Sequence, residues 1–128
     1  SLLFVDDKDG KWVWSFQIQP DGSLADGEPF YRLETPDESS ATGAGGMTVD
    51  SEGYLYIGTR LGIEVCDQPG RVVAILNPPD SDPLSGIAFG GSDLQTLYVS
   101  AGGKVFRRRL RRTGVRAGTL VTPPVPQL

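Results

Sequence analysis

The chain contains no histidine and a single cysteine, Cys66. The first absence excludes a Ser-His-Asp triad, a Cys-His pair and a histidine-ligated zinc centre built from one copy. The second excludes an internal disulfide and leaves the redox compartment open. Cys66 closes the run Ile63-Glu64-Val65-Cys66, where it reads as a small strand residue and not as a nucleophile. No apolar run approaches the roughly 18 residues that span a bilayer, so no membrane partner is expected. The opening Ser1–Asp7 has an apolar centre reaching only from Leu2 to Val5, with no basic segment before it. That is too short for the apolar part of a signal peptide, and it reads as a strand inside a larger unit. Acids are missing from one end only. Residues 104–128 hold seven basic groups and no acidic one, whereas residues 1–103 hold 16 acids against five bases, for a net charge of −4.

What is present points to one all-β domain. The length of 128 residues suits a single domain. With 17 glycines and 10 prolines, short runs of Val, Ile, Leu, Tyr and Phe are punctuated every few residues, as turns punctuate strands. An internal repeat is the strongest signal. Gly46-Met47-Thr48-Val49 returns 40 residues later as Gly86-Ile87-Ala88-Phe89, and Leu55-Tyr56-Ile57-Gly58 returns 42 residues later as Leu97-Tyr98-Val99-Ser100. Leu2-Leu3-Phe4-Val5 is a partial third copy. Third strands are expected over Lys11–Ile18, Gly62–Cys66 and Lys104–Leu110, and fourth strands over Pro29–Leu33 and Arg71–Leu76. The turn sequences Pro20-Asp21-Gly22, Asp50-Ser51-Glu52-Gly53 and Asp67-Gln68-Pro69-Gly70 join them as hairpins.

A period of about forty residues with four short strands is the signature of a β-propeller blade. The expected fold is therefore antiparallel four-stranded blades, about two and a half of them, over residues 1–116 (about 1–34, 45–77 and 85–112). The first unit lacks its innermost strand and the last its outermost. The segment 117–128, with Thr122-Pro123-Pro124-Val125-Pro126, is expected to be an extended or disordered tail.

Three motifs carry a family resemblance. Gly46-Met47-Thr48-Val49-Asp50-Ser51-Glu52-Gly53-Tyr54-Leu55-Tyr56 is one. Ile87-Ala88-Phe89-Gly90-Gly91-Ser92-Asp93 with Thr96-Leu97-Tyr98-Val99 is the second. Trp12-Val13-Trp14-Ser15-Phe16 followed by Gln19-Pro20-Asp21-Gly22-Ser23-Leu24 is the third. In this order they resemble the C-terminal blades of the gluconolactonase, regucalcin (senescence marker protein) and luciferin-regenerating enzyme family. The resemblance implies a six-bladed propeller that hydrolyses lactones with one divalent cation, calcium or zinc, at its central channel. It implies a Glu, an Asn and an Asp as ligands, the Asp standing immediately before the Gly-Met pair and doubling as general base. Such chemistry is coherent: a Lewis acid polarises the lactone carbonyl and a carboxylate activates water.

Carried over residue by residue, the ligand set fails. The blades that would give the Glu and Asn have no counterpart in residues 1–128, and the Asp position is Gly45. Gly86 holds the comparable channel-facing position of the next blade. No cation is expected on this chain alone. Asp37 and Glu38, in the loop Thr35–Gly45, are the substitute candidates for catalysis. Asp6, Asp7, Thr59 and Arg60, at second-to-third strand turns, are the other residues expected on the site face. Asp50 and Asp93 are expected in structural hairpin turns on the opposite face. The function expected is a portion of a lactone hydrolase, whose small lactone substrate belongs to the complete family protein. The alternative is a non-catalytic propeller piece that binds or assembles. The basic run Lys104–Arg112 is expected to be a solvated outer face and not a nucleic-acid site, and the open blade edges are expected to self-associate.

Overall fold

A computed structural model describes residues 1–119. It contains ten strands and no α-helix among those residues. In chain order they are β1 (Leu2–Asp6), β2 (Trp12–Ile18), β3 (Leu24–Arg32), β4 (Met47–Val49), β5 (Leu55–Thr59), β6 (Gly62–Cys66), β7 (Val72–Leu76), β8 (Leu84–Gly90), β9 (Thr96–Ala101) and β10 (Lys104–Arg109). They form three antiparallel sheets, β1-β2-β3, β4-β5-β6-β7 and β8-β9-β10, each a simple meander. The expected strands are all found, with shifted ends. The largest shift is β3, which starts at Leu24 and not Pro29 because the turn at Asp21–Ser23 feeds directly into pairing with Ile18. Two register shifts in β3 absorb its extra length. Of the proposed tail 117–128, residues 120–128 lie outside the described part.

The two outer hairpin turns of the middle sheet obey one rule. In the β4–β5 turn, the Asp50 carboxylate accepts the Glu52 and Tyr54 amides at 2.9 and 3.0 Å, and Gly53 takes φ +83°. An acidic side chain replaces missing backbone partners, and glycine supplies the left-handed position at no steric cost. The β6–β7 turn repeats it with Asp67 and Gly70.

The middle sheet sets the packing. Every residue of β5 and β6 is buried, because this sheet is covered on both faces. Strand alternation divides it. Leu55, Ile57 and Cys66 face the first sheet, joining Val13, Tyr31 and Leu33. Tyr56, Ile63 and Val65 face the third, joining Leu84, Ile87, Leu97 and Val99. Tyr56 of the middle sheet meets Phe89 of the third edge-on, 5.1 Å between ring centroids, and within the first sheet Phe30 meets Tyr31 at 4.8 Å.

The basic run is largely exposed, as expected of an outer face: Lys104, Arg107, Arg108, Arg109 and Arg111 all face solvent. Three of its charges are nevertheless paired. Lys104 pairs with Asp80 at 2.7 Å and Arg109 with Asp93 at 2.6 Å. Past the end of β10, Arg112 reaches the β4–β5 turn of the middle sheet, pairs with Glu52 and lies 4.0 Å over the Tyr54 ring. The backbone directs this, since the Ser51 amide donates to the Thr113 carbonyl and Asp50 bridges Gly114.

Candidate functional site

The turns that precede β2 and β6 and the linkers that lead into β4 and β8 gather at one end of the three sheets. Backbone bonds hold them: the Thr42 amide donates to Gly10 (3.1 Å), the Gly43 amide to Lys8 (3.1 Å) and the Arg60 amide to Thr42 (2.9 Å). They enclose a groove of about 430 Å³ between the middle and third sheets, with Lys8 reaching in from the first. One bank is cationic, with Lys8 and Arg60. The other, Asp80-Ser81-Asp82, carries carboxylates and a hydroxyl, while Leu84 and Pro83 give an apolar floor. The Arg60 stem lies against Gly43, where a Cβ would come within 2.9 Å, and its guanidinium donates to the Ser39 hydroxyl at 3.3 Å.

Of the residues singled out in the sequence, Thr59 and Arg60 stand in this groove. Asp7 is spent on its own turn, accepting the Asp9 and Gly10 amides at 3.2 and 3.1 Å. Asp6 closes β1 opposite Val13. Asp37 and Glu38 are exposed and line a separate, open depression with Lys11 and Thr35. The two candidate acids line that depression and not the groove, and Arg60 reaches its edge through the bond to Ser39. Asp50 and Asp93 lie in turns at the far end, as expected.

A cation site does not fit here. Gly45 has no side-chain oxygen, and there is no room for one: a Cβ would sit 2.6 Å from the Leu84 carbonyl oxygen. Gly46, at φ +72°, would place a Cβ 2.8 Å from the Gly86 Cα. The strands β4 and β8 thus begin backbone against backbone, and glycine is what permits that approach. Among the described residues no three His, Cys, Asp or Glu side chains converge as ligands.

Glu64 was not singled out by its sequence. It is 0% exposed, on the face of β6 that meets the first sheet. Its carboxylate accepts the Glu34 amide and the Thr59 hydroxyl, both at 2.9 Å. Burial pushes its carboxyl above the ordinary range, against these two hydrogen bonds. Glu64 ties the start of the loop bearing Asp37 and Glu38 to the turn bearing Arg60, so it positions the groove without entering it. The legible signal was a lone charge in the otherwise apolar run Gly62–Cys66.

Antiparallel meanders packed face to face, with linkers and turns grouped at one end, define the chain as propeller-type sheets. A solved luciferin-regenerating enzyme superposes on 97% of this chain with a TM-score of 0.75 at 21% identity, the chain covering 45% of that structure. The SMP-30/Gluconolactonase/LRE-like region matches residues 1–103, and the chain belongs to that family. Lactonohydrolase oryH of Aspergillus oryzae (strain ATCC 42149 / RIB 40) is 30% identical over 105 residues. That match spans 80% of this chain but only 20% of the relative.

Proposed function

We propose that this chain is a portion of a lactone-hydrolase propeller and that it supplies a wall of the ligand groove, not the cation ligands. The six-bladed ring and the metal-assisted ring opening belong, in this reading, to the complete family protein. The observation that carries it is the collision awaiting any side chain at Gly45, beside a polar groove that is otherwise well formed. Lys8 and Arg60 suit the carboxylate of a sugar acid or the carbonyl oxygen of its lactone. Ser81 and Asp82 suit its hydroxyl groups. Asp80 serves less, because Lys104 already holds it.

Gly45 also favours a second reading for the isolated chain, as a binding or assembly module without turnover. Gluconate titrated calorimetrically into the wild-type chain and into Arg60→Ala, followed by lactone hydrolysis with added calcium, zinc or manganese, tests both. We expect binding that Arg60→Ala weakens by at least about tenfold, the value of one charge-assisted hydrogen bond. Absence of binding overturns the groove assignment. Cation-stimulated turnover by the chain alone overturns the claim that it lacks the catalytic ligands.

A further inference from the structure

The middle sheet shows what a covered sheet looks like here, with β5 and β6 wholly buried. The first sheet is covered on one face only. Val13, Ser15 and Tyr31 are buried against the middle sheet. The opposite face presents Leu3, Val5, Trp12, Trp14, Phe16 and Ile18, contiguous by register, since Val5 opposes Trp14 and Leu3 opposes Phe16. Five of these six are exposed, and only Phe16 is partly covered. A patch with two tryptophans is an interface, not a solvated surface.

The third sheet has the complementary free face. Register places Gly86, Ala88 and Gly90 beside Ser100, Tyr98 and Thr96, and then Val105, Arg107 and Arg109 on the same side. Val105 is 72% exposed. The inner strand of this face is built of small residues, giving low relief into which large rings can seat. Arg107 has no acidic partner within ion-pair distance among the described residues. The edge strand of the first sheet, β3, exposes Asp26.

We propose that a second copy of this chain covers the tryptophan face, head to tail, with the third sheet of each copy packed on the first sheet of the other. Two such contacts related by a two-fold axis close a ring of six sheets. Size is consistent with closure at two copies, since one copy accounts for 45% of the solved luciferin-regenerating enzyme. Arg107 over Trp14 or Trp12, with Asp26 on the edge strand of the same sheet, orients the contact, and apolar burial holds it.

Sedimentation velocity of the full chain at micromolar concentration is the test. The expected species has twice the 13.7 kDa chain mass. Trp14→Asp and the double variant V105D/R107E should each raise the dissociation constant by at least about tenfold while keeping the β-sheet circular dichroism. Val5→Asp replaces Trp14→Asp if that variant loses its fold. Mixing the two variants should restore a dimer, because one of the two contacts in the mixed pair is untouched. A monomeric wild-type chain overturns the proposal. So does a mixture that stays monomeric, and so does a V105D/R107E variant that dimerises as tightly as the wild type, which would mean that two tryptophan faces meet each other.

Discussion

Replacing Gly45 by aspartate installs the residue that the family resemblance assigns to the cation, and the structure gives a reason to expect it to fail. A Cβ at Gly45 falls 2.6 Å from the Leu84 carbonyl oxygen, where real Cβ contacts do not go. The obstacle is backbone, and β8 cannot retreat cheaply, because Leu84 is part of the buried layer between the middle and third sheets. Gly58 closes the other side, with a Cβ there meeting the Gly45 carbonyl oxygen at 2.9 Å. Forced overpacking of this kind costs about 1–3 kcal/mol. For a domain of this size that lowers Tm by about 3–15 °C. A cation held by the new carboxylate would act oppositely, adding about 2.7 kcal/mol at a hundredfold excess over its dissociation constant. Differential scanning fluorimetry of Gly45→Asp, with and without calcium or zinc, separates the two. We expect a lower Tm and no recovery on adding cation. An unchanged Tm, or one that calcium raises by several degrees, would refute the argument that glycine is here for lack of space.

Three other outcomes follow from the packing. Glu64 has its carboxyl raised by burial, so the folded state holds that proton more tightly than the unfolded chain. Its contribution is present below the ordinary glutamate range and is lost as pH rises through the folded value; Glu64→Gln should flatten that decline in urea-melt stability while keeping an acceptor for the Glu34 amide. Asp80 and Asp93, held low by hydrogen bonds from Lys104 and Arg109, give the opposite slope at lower pH and leave the comparison intact. Arg112 is 34% exposed yet contacts Glu52 and the Tyr54 ring. Arg112→Ala should cost about 1–2 kcal/mol in chemical denaturation, and the more exposed Arg109→Ala distinctly less. The Cys66 thiol is buried, which pushes its pKa up to about 12. It should resist disulfide-exchange reagents in the native chain and react only after denaturation; rapid native labelling would contradict the packing between the first and middle sheets.

The sequence by itself determined the local elements and their order. Strand periodicity, the Asp-Gly turns and the forty-residue repeat are short-range signals, and each was recovered as a strand or hairpin with ends displaced by a few residues. Gly45 was legible as a missing ligand, because absence of a side chain is a fact of sequence. That the position also excludes one was not legible, since it depends on Leu84, a residue from another sheet. Only tertiary packing decided the site. Asp37, Glu38, Thr59 and Arg60 all belong to turns or linkers at one end, yet the groove takes the last two and leaves the acids in a separate depression. Glu64 became a positioning residue only when the first sheet closed over β6 and removed its water. Likewise the run Lys104–Arg112 read as one basic face. Alternation along β10 and the turn beyond it sent Lys104, Arg109 and Arg112 to three different acids. Charge is a property of residues, but what a charge meets is set by which strands the fold lays side by side.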